Sequence, residues 1–521
     1  MALYSRGSAR RSLIDTVAFR AASQAATLLG YVVLVRGMTK QDFGVFSLLY
    51  ALIPVFGMAV SFGLEQVLRR YQPEYLSAGN TVAASWLVRI VARGRFGLNI
   101  VVLGAILLSW EHVAPFFHLG PYRGAFVIFA ALTLLHFQLG ILQMAMASRM
   151  LHRLSVGATA LLSIAKLVCY GALYWHGSLT LRNAILADTL AYGAAFLVLH
   201  LAYRRQLATE GGEKPYRPEP AERKRLVRYG LFNSFNDAGV LLMSSTLDNF
   251  FIAAVIDVIS VGIFSFYLRL NQMAQNLMPQ RLFDNVVQPM FFAIIRSEAG
   301  EKIPKYFTFL LNMNLMLQWP IFAFALVYHS DIVTVIFAGR FVEYSWLLPL
   351  VVGFATLNAV ADPASIVAQY EEKAEVLLLS KVFSLYNLAA MFVLVPLLGI
   401  LGAVLASGSA QTFKNAFIWW HVRGNARWLN AWPALAGAIV LWGSAVLLGS
   451  GIRSHLPVPA VVHLVIGVFL LGATLLVHVR TGIISASDRS ILAALMGGKE
   501  ARLLRHLGLM PRAAGQGATR S

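Results

Sequence analysis

The sequence predicts an all-α polytopic membrane protein of about fourteen transmembrane helices. Three observations carry that prediction. Of the 521 residues, 58% are hydrophobic and only 13% charged, with a mean hydropathy of +0.67, which leaves too little polar surface for a soluble chain of this length. Apolar runs of about 20 residues, the length a helix needs to cross the hydrocarbon core, recur along almost the whole chain. No long alternating segments point to a barrel instead.

Length and hydropathy place the helix cores at residues 13–35, 43–68, 88–110, 123–147, 155–175, 182–203, 228–255, 258–280, 306–327, 341–369, 375–396, 399–422, 430–450 and 458–479. The N-terminal stretch is basic and polar, and no small-residue cleavage site follows the first apolar run, which reads as a retained helix. The single cysteine, Cys169, lies in an apolar stretch, so no intramolecular disulfide forms.

The net charge of +19 is distributed by topology. With the N-terminus in the cytoplasm, alternate loops and the tail carry 32 of the 43 Lys and Arg, against 6 on the opposite side. The positive-inside rule therefore puts both ends in the cytoplasm. Basic loops on one face of a membrane call for anionic lipid, not nucleic acid.

Residues 204–224, RRQLATEGGEKPYRPEPAERK, form the longest internal polar segment and read as a cytoplasmic linker between six spans and the next six. Across it the sequence echoes itself. FGVFSLLYAL at 43–52 corresponds to VGIFSFYLRL at 261–270 with an offset of 218, Arg11 to Arg228 with 217, and Lys166 to Lys381 with 215. A common offset implies duplication, and six spans per copy gives both copies the same orientation, related by a pseudo-two-fold along the membrane normal. The expected organisation is an N-lobe at 1–203, the linker at 204–224, a C-lobe at 225–425, two added spans at 426–482 and a cytoplasmic tail at 483–521. The tail reads as an amphipathic helix on the inner leaflet, with apolar and basic faces over 485–510.

Charges inside apolar spans mark candidate sites. Arg269 sits halfway along the eighth span, where an arginine costs roughly 2.5–3.5 kcal/mol, so it should face a cavity or a partner rather than lipid. Asn271, Gln272, Gln275 and Asn276 follow it and give that helix a polar wall. Arg20 and Asp237 each lie nine residues after a basic cytoplasmic residue, at equivalent places with opposite charge. They either pair across the lobe interface, or Arg20 meets substrate while Asp237 orients it or titrates. Lys166 is a third mid-span cation, and Asp188 and Asp248 are candidates for ion coupling or for pairing with a nearby cation. Glu65, beside Arg69 and Arg70, suggests a local salt bridge.

Catalysis finds no support. The sequence has no GxxxxGK[ST] loop, no H-x-x-x-H pair, no D-x-D pair and too few cysteines for a thiolate metal site. No catalytic residue, metal or cofactor is expected.

The basic first span leading into RGMTKQDFG (36–44) and FGVFSLLYAL, with STLDNFFIA (245–253) followed by VGIFSFYLRL, resembles the Wzx-type oligosaccharide flippases. These form the polysaccharide transporter family of the multidrug/oligosaccharidyl-lipid/polysaccharide exporter superfamily. The resemblance covers about residues 10–425. It implies that an undecaprenyl pyrophosphate-linked oligosaccharide is turned from the cytoplasmic to the outer leaflet of a bacterial inner membrane by alternating access. Arg20, Arg269 and Lys166 then become the cations that meet substrate, with the phospholipid bilayer, a polysaccharide polymerase and assembly proteins as partners. A lipid II flippase of the same superfamily is expected to carry a basic residue in the second span, where this chain has only Glu65. A cation-coupled drug antiporter is expected to have twelve spans and an anionic pocket. A membrane-embedded transferase or an assembly scaffold is the alternative of a different class.

Overall fold

The structure is a computed structural model that describes residues 6–210, 215–242, 245–276, 303–429, 431–480 and 488. The chain is an all-α polytopic membrane protein. Among the described residues, nine helices are long and apolar enough to cross a membrane. The other expected cores also fall on helices, which are either broken or richer in polar residues.

The chain divides into two compact units, Met1–Ser265 and Phe266–Ser521. The first holds α1 (Arg6–Gly37), α2 (Lys40–Ala59), α3 (Leu64–Ser77), α4 (Thr81–Leu108), α5 (Trp110–Val113), α6 (Arg123–Ser148), α7 (His152–Trp175), α8 (Leu181–Thr209), α9 (Pro220–Leu242) and α10 (Ser245–Val255). The unit boundary falls within α11 (Val258–Asn276). The second holds α12 (Ile303–Ile336), α13 (Leu347–Leu357), α14 (Ala361–Tyr370), α15 (Ala374–Leu379), α16 (Phe383–Leu398), α17 (Ile400–Val422), α18 (Ala431–His455) and α19 (Ala460–Arg480).

Helix α2 begins where Thr39 caps it, its side chain accepting from the Asp42 amide at 3.0 Å. The expected second core, 43–68, is in fact two helices. The chain breaks after Ala59, with Phe62 at φ 45° and Gly63 at φ 70°. Ser61 Oγ accepts from the Gly63 amide at 3.3 Å across the turn. Helix α3 then presents only one buried face, Val67, Leu68, Tyr71, Gln72 and Tyr75, so it packs beside the bundle and does not extend the span. The third core begins seven residues earlier than hydropathy places it, because Asn80 caps α4 by accepting from the Ala83 amide at 2.9 Å. The tenth core, 341–369, is likewise divided, into α13 and α14 by a 3₁₀ turn at Asn358–Val360.

Helix lengths also shorten the linker. Helix α8 runs through Thr209 and α9 resumes at Pro220. Residues 215–225 dock on α3: the Tyr75 and Tyr216 hydroxyls both donate to Glu222, and Arg225 Nη2 donates to Glu74 Oε1 at 2.6 Å. Burial, reinforced by the Glu222 hydrogen bond, holds the Tyr75 phenol above its ordinary value. In the second unit, α12 packs on α18 and α19 around Ala323, Ala438 and Trp442. Arg453 Nε lies 2.8 Å from Asp331 Oδ2 at one end of that contact. Apart from Asp488, which accepts from Asn312 Nδ2 at 3.0 Å, the proposed tail helix lies outside the described residues.

Candidate substrate and coupling residues

In the first unit two sequence candidates meet. Lys166 on α7 and Asp188 on α8 form an ion pair, Nζ to Oδ1 at 3.2 Å. Each helix repeats the device one turn on, since i,i+4 residues share a face. Tyr170 donates its hydroxyl to Asp188 Oδ1 at 2.5 Å. The Tyr192 ring lies 4.6 Å from the Lys166 ammonium, and the Tyr50 ring of α2 lies 5.6 Å from it. His136 Nδ1 on α6 is 3.1 Å from the Tyr192 hydroxyl, extending the polar cluster to a fourth helix. Asp188 is fully buried while Lys166 keeps 20% of its side chain exposed. The pair is neutral as a whole, which is how two charges survive in a low-dielectric interior. An anion reaching Lys166, or a proton reaching Asp188, would open it.

A second polar site of this unit escaped the sequence reading. Arg95, on α4, is completely buried. Its Nη2 donates to the Phe56 carbonyl at 2.6 Å, its Nε lies 3.5 Å from Glu65 Oε1, and its guanidinium stacks 4.0 Å from the Phe137 ring. Phe56 is in the last turn of α2, where carbonyls lose their helical partners, so Arg95 caps the break at 60–63. Hydropathy put Arg95 near the start of the third core, 88–110. The Asn80 cap is the signal that places it mid-helix, 15 residues into α4. Asn99, one turn further along, is buried too. Glu65 thus has a partner on a different helix, while Arg70 pairs with Glu74 at 3.4 Å. Asp248, on α10, is 2% exposed.

In the second unit, Arg269 is exposed on α11, and its Nη1 donates to Gln272 Oε1 at 3.3 Å. Gln275 and Gln318 of α12 exchange amide hydrogen bonds, at 2.9 and 2.5 Å. Gln275 also reaches Asn271 Oδ1 at 3.4 Å. Arg269, Gln272 and Gln275 sit at helical spacing, so the polar wall expected of this helix has one exposed edge and one edge tied to α12. The side chains of Arg20, Asp237 and Asn276 lie outside the described residues. Among the described residues, no group of three His, Cys, Asp or Glu side chains is arranged to hold a metal.

A family model described as polysaccharide biosynthesis protein matches residues 33–346. The fold is similar to that of a lipid II flippase, MurJ, in an inward closed conformation, with a TM-score of 0.68 and 10% identity over 90% of this chain and 100% of that one. It is also similar to an inward-facing multidrug resistance MATE family transporter of the MOP superfamily, with a TM-score of 0.64 and 13% identity over 79% of this chain and 98% of that one. At such identities the likeness establishes the fold. No curated protein matches the sequence.

Proposed function

The chain belongs to the polysaccharide biosynthesis protein family, and on that premise we propose that it is a flippase for a lipid-linked oligosaccharide. Its substrate hangs from an undecaprenyl pyrophosphate carrier and moves from the cytoplasmic to the outer leaflet of a bacterial inner membrane. The product feeds a surface polysaccharide: O-antigen, capsule or exopolysaccharide. Both termini are cytoplasmic, as the charge asymmetry of the loops requires.

The observation that carries this reading is Arg269, an exposed arginine on α11 between the apolar run 258–268 and the polar residues that follow it, with the neutral Gln272 as its hydrogen-bond partner among the described residues. Such a residue costs too much to face lipid, and a guanidinium presents a planar fork of donors that matches pyrophosphate oxygens. Lys166 differs, since its charge is already balanced by Asp188; it becomes available to substrate only when that pair opens. Arg20 completes the cationic set. Asp237, Asp248 and Asp188 are the acidic groups for gating or ion coupling. Movement needs no nucleotide bound by this chain, because an inside-negative potential favours outward transfer of an anion by ~2.3 kcal/mol per charge per 100 mV. The chain moves its substrate without transforming it chemically.

A strain lacking the protein should lose surface glycan and accumulate the lipid-linked oligosaccharide on the cytoplasmic leaflet, and the wild-type chain should restore export. Loss of peptidoglycan precursor transport with surface glycan intact would instead support a lipid II flippase, the second reading that the MurJ-like fold favours. Unchanged glycan together with lost efflux of a cationic drug would overturn both.

A further inference from the structure

We infer that Gly44 and Gly262 form a seal at the outer end of the bundle, a backbone-on-backbone contact that must part for substrate to leave. The inference rests on the alternating-access reading above and adds to it the residues on which one end closes.

Three observations carry it. The two glycines hold equivalent positions in the echoed motifs, FGVFS at 43–47 and VGIFS at 261–265. In the structure they touch. A Cβ added to Gly262 would lie 3.0 Å from Gly44 Cα, 3.2 Å from Gly44 N and 3.3 Å from Phe43 Cδ1. A Cβ added to Gly44 would overlap the Val258 carbonyl oxygen. The contact sets α2 against the first turn and a half of α11, inside the first unit. Neither glycine has a positive φ, so the residue type answers to space rather than to backbone conformation. Gly104, on α4, has nothing within 4 Å of an added Cβ.

The surroundings suit a contact that opens. Phe43, Val45, Val261, Ile263 and Phe264 around it are buried and apolar, so parting it forfeits dispersion contacts and leaves no charge stranded. The loop before α6 adds to the same seal: His118 Nδ1 donates to the Ala253 carbonyl at 2.9 Å, and Phe117 meets Phe250 edge-on at 5.8 Å. The opposite end of α2 is built differently. There Gly63 packs on the Gly230 carbonyl, next to the ion-paired Arg225 and Glu74 and the Glu222 hydrogen bonds. The positive-inside rule assigns the glycine pair to the outer face and the ion pairs to the cytoplasmic one. One end closes by shape and the other by charge.

The test uses the full-length protein in membranes, with the sole cysteine removed (Cys169→Ala) and the pair Phe117→Cys and Phe250→Cys introduced. A short bifunctional thiol-reactive reagent, a bis-methanethiosulfonate that forms a disulfide with each cysteine and releases methanesulfinate, should crosslink this pair and abolish glycan export. Adding Gly44→Val should lower the crosslinking yield about tenfold, a shift in population away from the closed end, and should reduce export with it. Gly262→Ala, whose methyl needs a displacement of only a few tenths of an ångström, should give a smaller drop in both. Gly104→Val should change neither. If Gly44→Val fails to accumulate, Gly262→Ala decides the matter. Wild-type crosslinking in the glycine variants overturns the seal, and if export is lost at the same time the flippase reading still stands. A graded loss of crosslinking in a protein on which no surface glycan depends keeps the seal and removes the flippase reading.

Discussion

Removing the Lys166 charge should be far more damaging than removing its partner, although both break the same ion pair. In Lys166→Met the carboxylate of Asp188, fully buried, keeps Tyr170 as its hydrogen-bond donor and loses its counter-charge. Stranding one member of a buried pair costs about 3–5 kcal/mol. In Asp188→Asn the amide oxygen still accepts from Tyr170, and the ammonium, 20% exposed and flanked by the Tyr192 and Tyr50 rings, has both water and aromatic faces to turn to. The cost there should be about 1–2 kcal/mol, with the cation–π contacts offsetting part of the loss. The double variant carries no charge, and replacing a buried pair by uncharged groups of similar volume is close to neutral, so the cycle should show a coupling of about 4–7 kcal/mol. At roughly 2–4 °C per kcal/mol for a domain of this size, Lys166→Met should melt about 10 °C below wild type in detergent, and the double variant should recover most of that. Glycan export then separates the two roles of Lys166. If the lysine meets substrate, export stays low in the stabilised double variant; if it only ties α7 to α8, export returns with stability. Additive melting shifts across the cycle would refute the electrostatic account of this pair.

Arg269→Ala should insert at normal levels and abolish surface glycan, with Arg269→Lys restoring only part because an ammonium lacks the planar fork; undiminished export in Arg269→Ala would remove the residue from the site. Arg20→Ala and Asp237→Ala should each impair export with strong non-additivity, as expected if they pair when the cytoplasmic side closes; strictly additive effects, or cysteines there that never crosslink, would end that idea. A cytoplasm-only reporter fused at residues 211–214 should be active and one at Glu111 silent, and the reverse result would invert the direction of transport. At the cytoplasmic end of α8, burial alone would raise the Glu210 carboxyl, but hydrogen bonds from Arg149 and Gln206 and the Arg149 charge hold it below its ordinary value. A depressed folded-state value means that this stabilisation is present above the ordinary carboxylate pKa and is lost as pH falls through the lowered one. Glu210→Gln should therefore flatten the acid limb of a pH–stability curve recorded for the purified protein, and an unchanged limb would refute the assignment.

Residue order alone determined the all-α membrane architecture and the loop charge asymmetry, and each of the nine candidate membrane-spanning helices among the described residues falls on an expected core. Each is a local or summed property: a helix satisfies its own backbone within the bilayer, and hydropathy is read along a window without knowledge of neighbours. The internal echo was equally legible, because a repeat is a property of the string. The break at 60–63 was not, since Phe62 and Ser61 read as a continuation of an apolar run, and one of the carbonyls freed there finds its donor in Arg95 on another helix. The same limit hid the Lys166–Asp188 pair as a pair: both residues stood out as intramembrane charges, but which cation meets which anion depends on how α7 and α8 pack. It hid the glycine contact as well: Gly44 and Gly262 match in the sequence, and only the tertiary structure shows that a Cβ on Gly44 would overlap the Val258 carbonyl and one on Gly262 would crowd Gly44.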